Sequence, residues 1–119
     1  MWLFTRYGFY SISIQNGKTV VRARLKKHLL NLIATFGALG KPVVIDTPEA
    51  DYAHRIIVDP TIWAKVVQEL VTEQTWSNFK NEVMSFNGAD DYEHSCHDVW
   101  SVMNRLQQQE KQRGLRGKK

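Results

Sequence analysis

The tetrad QNGK at residues 15–18 is the feature that most constrains how this chain can fold. Asn-Gly is the preferred central pair of a two-residue hairpin turn, because both positions require a positive φ. The segments on either side, residues 2–15 and 19–24, are rich in the aromatic and β-branched residues that favour strands. The sequence therefore predicts an antiparallel hairpin at its start.

The second predicted strand alternates between apolar and cationic side chains. Val21 and Ala23 point to one side, whereas Arg22 and Arg24 point to the other. Phe9 of the first strand is expected on the cationic side. The hairpin should therefore offer one apolar face to the core and one cationic face to solvent.

The remaining helices and strands are predicted from the spacing of apolar residues and from the turn and capping residues between them. Residues 25–36 carry leucines at helical spacing, and two short strands are predicted at 43–45 and 55–58. Asp59-Pro60 marks the start of a second helix, a shorter helix follows, and a capping box at residues 90–93 opens the last one. The predicted order is β-β-α-β-β-α-α-α.

This order predicts a two-layer α+β fold in which an antiparallel sheet of about four strands carries helices on one face. Ferredoxin-like connectivity is compatible with it only in a rearranged form. Residues 1–106 are expected to form a single domain, and residues 107–119 a polar, basic C-terminal extension. The last helix has an apolar seam about two heptads long, which is short for a coiled coil and is expected to pack in the core. The seam consists of Tyr92, Cys96, Val99, Met103 and Leu106.

Charge is strongly segregated along the 119 residues. Residues 1–45 contain no acid and have a net charge of +7, residues 46–98 have −8, and residues 99–119 have +5. Clustered charge steers partners of opposite sign, so this pattern is an argument about association and not about fold.

The compartment is inferred from what the chain lacks. A single cysteine excludes an intramolecular disulfide, and the opening residues lack the features of an export signal. No run approaches the roughly 18 consecutive apolar residues that a membrane span needs. A soluble, cytoplasmic protein is expected.

Several stretches of the chain resemble a group of small proteins of bacteria and mobile elements that have no assigned activity. These stretches are MWLFT with the following GF, VRAR, TPEADY followed by RIIV, NFK, and HDVWSVM. The resemblance covers most of the chain and implies no activity. It draws attention to Arg22, Arg24, Asp51, Tyr52, Arg55, Asn78, Lys80 and His97.

The start of the first helix departs from ordinary helix chemistry. Lys26 and Lys27 occupy a first turn in which the helix dipole favours acids, and no capping residue precedes them. A phosphate group bound at the exposed amides would neutralise these cations. The alternative is a tolerated surface helix end, or one paired with acids from residues 46–98. Phe9 is either a stacking surface for bases or a side chain covered by a helix or a partner subunit.

We therefore expect a non-catalytic module that binds a polyanion, RNA or single-stranded DNA, through the cationic sheet face and this helix start. The predicted contact residues are Arg6, Phe9, Arg22, Arg24, Lys26, Lys27, Arg55 and Lys80.

Two other classes of function remain open. One is a protein-interaction or inhibitory module of a mobile element, with the basic and acidic blocks complementing each other in a homodimer or a complex with another protein. The other is a small enzyme in which Asp51, His54 and His97 converge as acid and base. No phosphate loop or nucleophile elbow supports catalysis. His94 and His97 have suitable donors for zinc, but Cys96 points to a different side of the helix, so no metal and no cofactor is expected.

Overall fold

The computed structural model describes residues 1–116 and divides into two compact units, Met1–Ser77 (unit 1) and Asn78–Lys119 (unit 2). Unit 1 contains all the strands, and unit 2 is a helical hairpin. The last three residues of the predicted basic extension lie outside the described residues.

Unit 1 is a five-stranded antiparallel sheet with two helices. Its elements are β1 (Trp2–Thr5), β2 (Gly8–Gln15), β3 (Lys18–Ala23), α1 (Lys26–Thr35), a 3-10 turn (Gly37–Leu39), β4 (Ile45–Asp46), β5 (His54–Val58) and α2 (Pro60–Thr72). The strand order is β1-β2-β3-β5-β4, and every neighbouring pair is antiparallel. The predicted two-layer α+β architecture is confirmed.

The sheet has one strand more than expected, because the first predicted strand is two. Thr5 pairs with Gly8, so the chain reverses over Arg6 and Tyr7 and forms a second tight hairpin before the predicted one. The sequence signal was hidden because neither turn residue is a typical turn former.

The predicted hairpin is present, and its two faces carry the residues that the alternation predicts. Asn16 and Gly17 have φ values of 52° and 74°, and the residues on either side pair with each other. Both positive φ values match the turn that suits the twist of two antiparallel strands. Phe9 and Arg22 therefore lie on the same side of the sheet.

Both helices of unit 1 pack against one face of the sheet. Leu29 and Leu32 of α1 and Val66 of α2 are fully buried there. The strands supply the other half of this core with Tyr10, Ile12, Val21, Ala23, Ile56 and Val58. The opposite side of the sheet, here called the outer face, carries the alternate residues, Trp2, Phe4, Phe9, Ser11, Ser13, Val20, Arg22, Ile45, Arg55 and Ile57.

A buried polar contact fixes α1 on the sheet. The Tyr10 hydroxyl donates to the backbone carbonyl of His28 at 2.7 Å, and burial raises the pKa of Tyr10. His28 Nδ1 accepts from the backbone N–H of Phe9 at 3.3 Å. The imidazole ring lies directly over Gly8, where no side chain would fit.

Unit 2 consists of α3 (Phe79–Asn87) and α4 (Asp91–Arg116). Asp90 accepts from the backbone N–H of Glu93 at 2.8 Å, as the capping box predicts. Asn78 caps α3 in the same way, a signal that the sequence analysis missed. Helix α4 continues without a break past residue 106, where the extension was expected to begin. No helix within residues 1–116 has the length and apolar character needed to cross a membrane.

Gly8 generates the first prediction. A Cβ added there would lie 2.3 Å from Cγ of the His28 ring, and the φ of 155° is one that L side chains rarely adopt. Gly8→Ala should therefore lower the free energy of unfolding by about 2 kcal/mol or more. Urea denaturation followed by circular dichroism measures the loss.

The matched control is Gly37→Ala, because an added Cβ at Gly37 meets nothing within 4 Å. Its free energy of unfolding should stay within about 0.5 kcal/mol of the wild-type value. Equal stabilities for the two variants would contradict the close packing of His28 on Gly8.

Candidate polyanion-binding face

An aromatic cluster occupies the end of the outer face formed by β1 and β2. Phe4 and Phe9 are cross-strand partners and stack with their ring centroids 4.4 Å apart. Trp2 contacts Phe9 edge to face at 5.8 Å. Trp2 is 69% exposed, so its indole is open to solvent, whereas both phenylalanine rings are half-buried. The two stacked phenylalanine rings therefore support one solvent-accessible ring, that of Trp2.

Tyr52, in the loop before β5, connects this cluster to two arginines. Its ring is only 6% exposed, because the guanidinium groups of Arg22 and Arg24 lie 4.8 and 4.3 Å from the ring centroid. Phe9 lies on the other flank, with 6.5 Å between ring centroids. Cation–π contacts of this kind hold a guanidinium in place without neutralising its charge.

Arg22 and Arg55 are direct cross-strand partners on β3 and β5. Arg22 donates from Nη2 to the Ser11 hydroxyl at 2.8 Å, and Arg55 donates to the Tyr52 carbonyl at 3.5 Å. The buried Nε of Arg55 has no hydrogen-bond partner, and neither arginine forms an ion pair with a carboxylate anywhere in residues 1–116. Like charges in this position normally destabilise a sheet. The outer face therefore carries two adjacent positive charges that the protein itself does not neutralise.

Other predicted cations are ion-paired. Arg24 lies 3.3 Å from a carboxylate oxygen of Asp51, and Lys26 lies 3.3 Å from one of Asp46. Lys18, which is not one of the predicted contact residues, pairs with Asp59. These side chains are about half exposed or more, so solvent screens each pair and its contribution to stability is small. Each pair nevertheless reduces the local positive field.

Arg6 is held in a separate polar cluster at the C-terminal end of α2. Its guanidinium donates to the Tyr7 hydroxyl at 2.9 Å, lies 3.5 Å from Glu73 and stacks 5.3 Å from the Trp76 ring centroid. The Tyr7 hydroxyl also donates to Glu73, and burial is the main cause of its raised pKa. This cluster ties the first hairpin to α2, so Arg6 has a structural role.

The start of α1 has the chemistry that the sequence predicts. Leu25 is the N-cap, no side chain caps the helix, and the first turn contains no acid. Lys26 nevertheless bonds to Asp46 of β4, while Lys27 is exposed. The predicted anion site at this helix end is therefore partly neutralised from within unit 1. Lys80 belongs to unit 2, where its ammonium lies 4.5 Å from the centroid of the Trp100 ring.

The candidate catalytic residues of unit 1 have different partners. Asp51 bonds to Arg24, whereas His54 Nδ1 lies 2.7 Å from a carboxylate oxygen of Asp46. The His54 hydrogen bond, with help from Lys26, lowers the pKa of Asp46. In unit 2 the ring of His97 stacks on Trp100 at 6.0 Å. The structure therefore brings together His54 and Asp46 and leaves Asp51 in a separate ion pair.

The donors near the start of α4 do not converge either. His94 lies 3.7 Å from the neighbouring Glu93, and Cys96 is buried, which raises the pKa of its thiol. Within residues 1–116, no three His, Cys, Asp or Glu side chains are grouped as ligands of a metal ion.

Trp2 and Phe4 are the members of this face that sequence reasoning missed. Because they are two residues apart on one strand, their side chains point to the same side of the sheet. In the unrecognised first hairpin Trp2 pairs with Ser11 and Phe4 pairs with Phe9. Without that turn, the side on which they face cannot be assigned. No family model, no curated protein and no solved structure matches the chain.

The Asp46–His54 pair gives the second prediction. His54→Ala removes the main hydrogen bond to the Asp46 carboxylate, so the pKa of that carboxyl should rise toward its ordinary value. A depressed folded-state pKa means that the pair stabilises the fold above the unfolded-state pKa. Its contribution is lost as the pH falls through the folded-state value. Carbon-detected NMR titration of Asp46 measures the shift.

His94→Ala is the matched control, because it removes an imidazole of unit 2 that lies beside Glu93. The Asp46 titration should be unchanged in this variant. An unchanged titration in the His54 variant would contradict the assigned cause.

Proposed function

We propose that unit 1 is a non-catalytic module that binds a phosphate-rich polymer, RNA or single-stranded DNA, on the outer face of its sheet. The observation that carries the proposal is the cross-strand pair of Arg22 and Arg55, which no carboxylate among residues 1–116 neutralises. The proposal requires neither a metal nor a cofactor.

A bound phosphate would remove the cost of this arrangement. Two guanidinium groups on adjacent strands repel each other, and an anion between them replaces the repulsion with two charge-assisted hydrogen bonds. Arginine suits phosphate better than lysine, because its planar fork can donate two parallel hydrogen bonds.

The aromatic cluster extends the same surface by a second kind of interaction. The exposed indole of Trp2 contacts Phe9. Phe9 in turn lies beside Tyr52, whose ring contacts Arg22. Proteins that bind single strands combine such stacking platforms with cations that follow the backbone. Duplexes hide the faces of their bases, so this combination favours single strands.

The first test is the salt dependence of binding to a fluorescently labelled oligonucleotide, measured by anisotropy. Changing Arg22 and Arg55 to glutamine should weaken binding at least about tenfold at low salt. Each phosphate contact to a single strand adds about 0.7 to the slope of log K against log salt, so the slope should fall by about 1.4.

The matched control changes Lys41 and Lys65 to glutamine. It removes the same charge from exposed positions outside the sheet, one of them on α2. If both double variants lose affinity equally, binding is a property of net charge and the assigned site is wrong. Wild-type protein that ignores oligonucleotides at low salt, or self-associates without binding them, would support the protein-interaction alternative.

The second test addresses stacking. Trp2→Ala removes the exposed ring, and a stacked base is worth about 1 to 3 kcal/mol, so affinity should fall by roughly 5- to 150-fold. The salt slope should remain at its wild-type value, because no phosphate contact is lost. Anisotropy titrations at several salt concentrations separate the two quantities.

Trp100→Ala serves as the control, because it removes an indole of comparable exposure from unit 2. This variant should bind the oligonucleotide as the wild type does. A Trp2 variant with unchanged affinity would remove stacking from the proposal and leave only the electrostatic contacts.

A further inference from the structure

Helix α4 has an exposed apolar stripe that the sequence analysis expected to find in the core. Tyr92 and Cys96 are buried as expected, but the next residues of the predicted seam are not. The exposed stripe consists of Val99, Val102, Met103 and Leu106, which are 38%, 50%, 56% and 53% exposed. At 100° per residue these four side chains fall within an arc of about 100°. The stripe is therefore one continuous face, the geometry by which helices pair.

The shorter partner helix does not extend along this stripe. Helix α3 has nine residues against 26 in α4, and Lys80 in its first turn contacts Trp100. Because the two helices run in opposite directions from the turn at residues 88–90, α3 begins near the level of Trp100. Residues 102–115 of α4 are all exposed.

Charge along α4 changes sign from one end to the other. Its first eight residues contain Asp91, Glu93 and Asp98 and no lysine or arginine. Its second half contains Arg105, Lys111, Arg113 and Arg116 with the single acid Glu110. The apolar stripe lies between these two halves, so the helix is complementary to a reversed copy of itself.

We propose that the stripe is an interface between two copies of this chain, in which the two α4 helices pair antiparallel about a two-fold axis near Met103. In this orientation the acidic half of each helix faces the basic half of the other, whereas parallel pairing would place like charges side by side. A symmetric interface of this kind uses the same patch on both copies.

The stripe is short, and this fixes the expected strength. The stripe extends over eight residues, or about 12 Å of helix. Four side chains over that length can bury much less than the roughly 800 Å² per partner of a standard interface. The dimer should therefore be weak, and a monomer–dimer equilibrium should be visible between about 10 μM and 1 mM.

Sedimentation equilibrium over this range tests the proposal. Met103→Lys places two lysines against each other at the axis and should raise the dissociation constant at least about tenfold. Gln108→Lys, which adds the same charge on the other side of the helix, should leave it unchanged. A wild-type protein that stays monomeric throughout, or a Met103 variant that still dimerises equally well, would overturn the interface. If Met103→Lys does not fold, Leu106→Gln makes the same test.

The orientation is tested by a spin label at residue 114, introduced as Gly114→Cys with Cys96→Ser, because residue 114 lies on the same side of the helix as Met103 and an added Cβ there meets nothing within 4 Å. Antiparallel pairing about Met103 separates the two labels by roughly 33 Å, from eleven residues on each side at 1.5 Å per residue. Parallel pairing would bring them within about 15 Å, near the usual spacing of packed helices. Added salt should weaken an antiparallel dimer, because it screens the attraction. A short distance, or a dimer strengthened by salt, would overturn the antiparallel arrangement.

Discussion

The register of β3 against its two neighbours determines both the core and the candidate site. The tight turn at Asn16 and Gly17 sets Val21 opposite Ile12 and Arg22 opposite Ser11. A slip of one residue would exchange the two faces and turn a guanidinium toward the apolar core, so the apolar face strongly specifies the pairing. The same strand then presents Arg22 to β5. One local turn therefore fixes which cations can reach solvent together.

The position of each lysine or arginine within the fold, and not the number of such residues in the sequence, decides which of them can bind an anion. Arg24 and Lys26 follow β3 and reach the acids of the loop and edge strand beside it, Asp51 and Asp46. Arg22 and Arg55 lie within the strands, where their neighbours are a serine, a tyrosine ring and each other. Acids of residues 46–98 therefore pair with Arg24 and Lys26, whereas Arg22 and Arg55 form no ion pair with a carboxylate of the described residues.

The sequence was informative wherever the signal was local. The Asn-Gly turn and the Asp90 cap depend on residues within a few positions, and both are present as predicted. Asp59 precedes α2 as predicted, but its carboxylate pairs with Lys18 and caps nothing. The cross-strand pair of Arg22 and Arg55 was unpredictable in detail, because it depends on how β5 aligns with β3 across an intervening helix. Each arginine could be proposed individually, but their adjacency could not.

The prediction that the whole apolar seam of α4 packs in the core was wrong for its second half, and the reason is physical. A seam with a four-three spacing has the same pattern whether it faces a core or another helix, so periodicity alone cannot distinguish them. What distinguishes them is the length of the helix that covers the seam, and α3 is too short, since its first turn lies only at the level of Trp100. Polyanion binding and α4 pairing would both weaken with salt, since both involve opposite charges. They depend on separate residues, Arg22 and Arg55 in unit 1 and Met103 in unit 2, so each can be lost without the other.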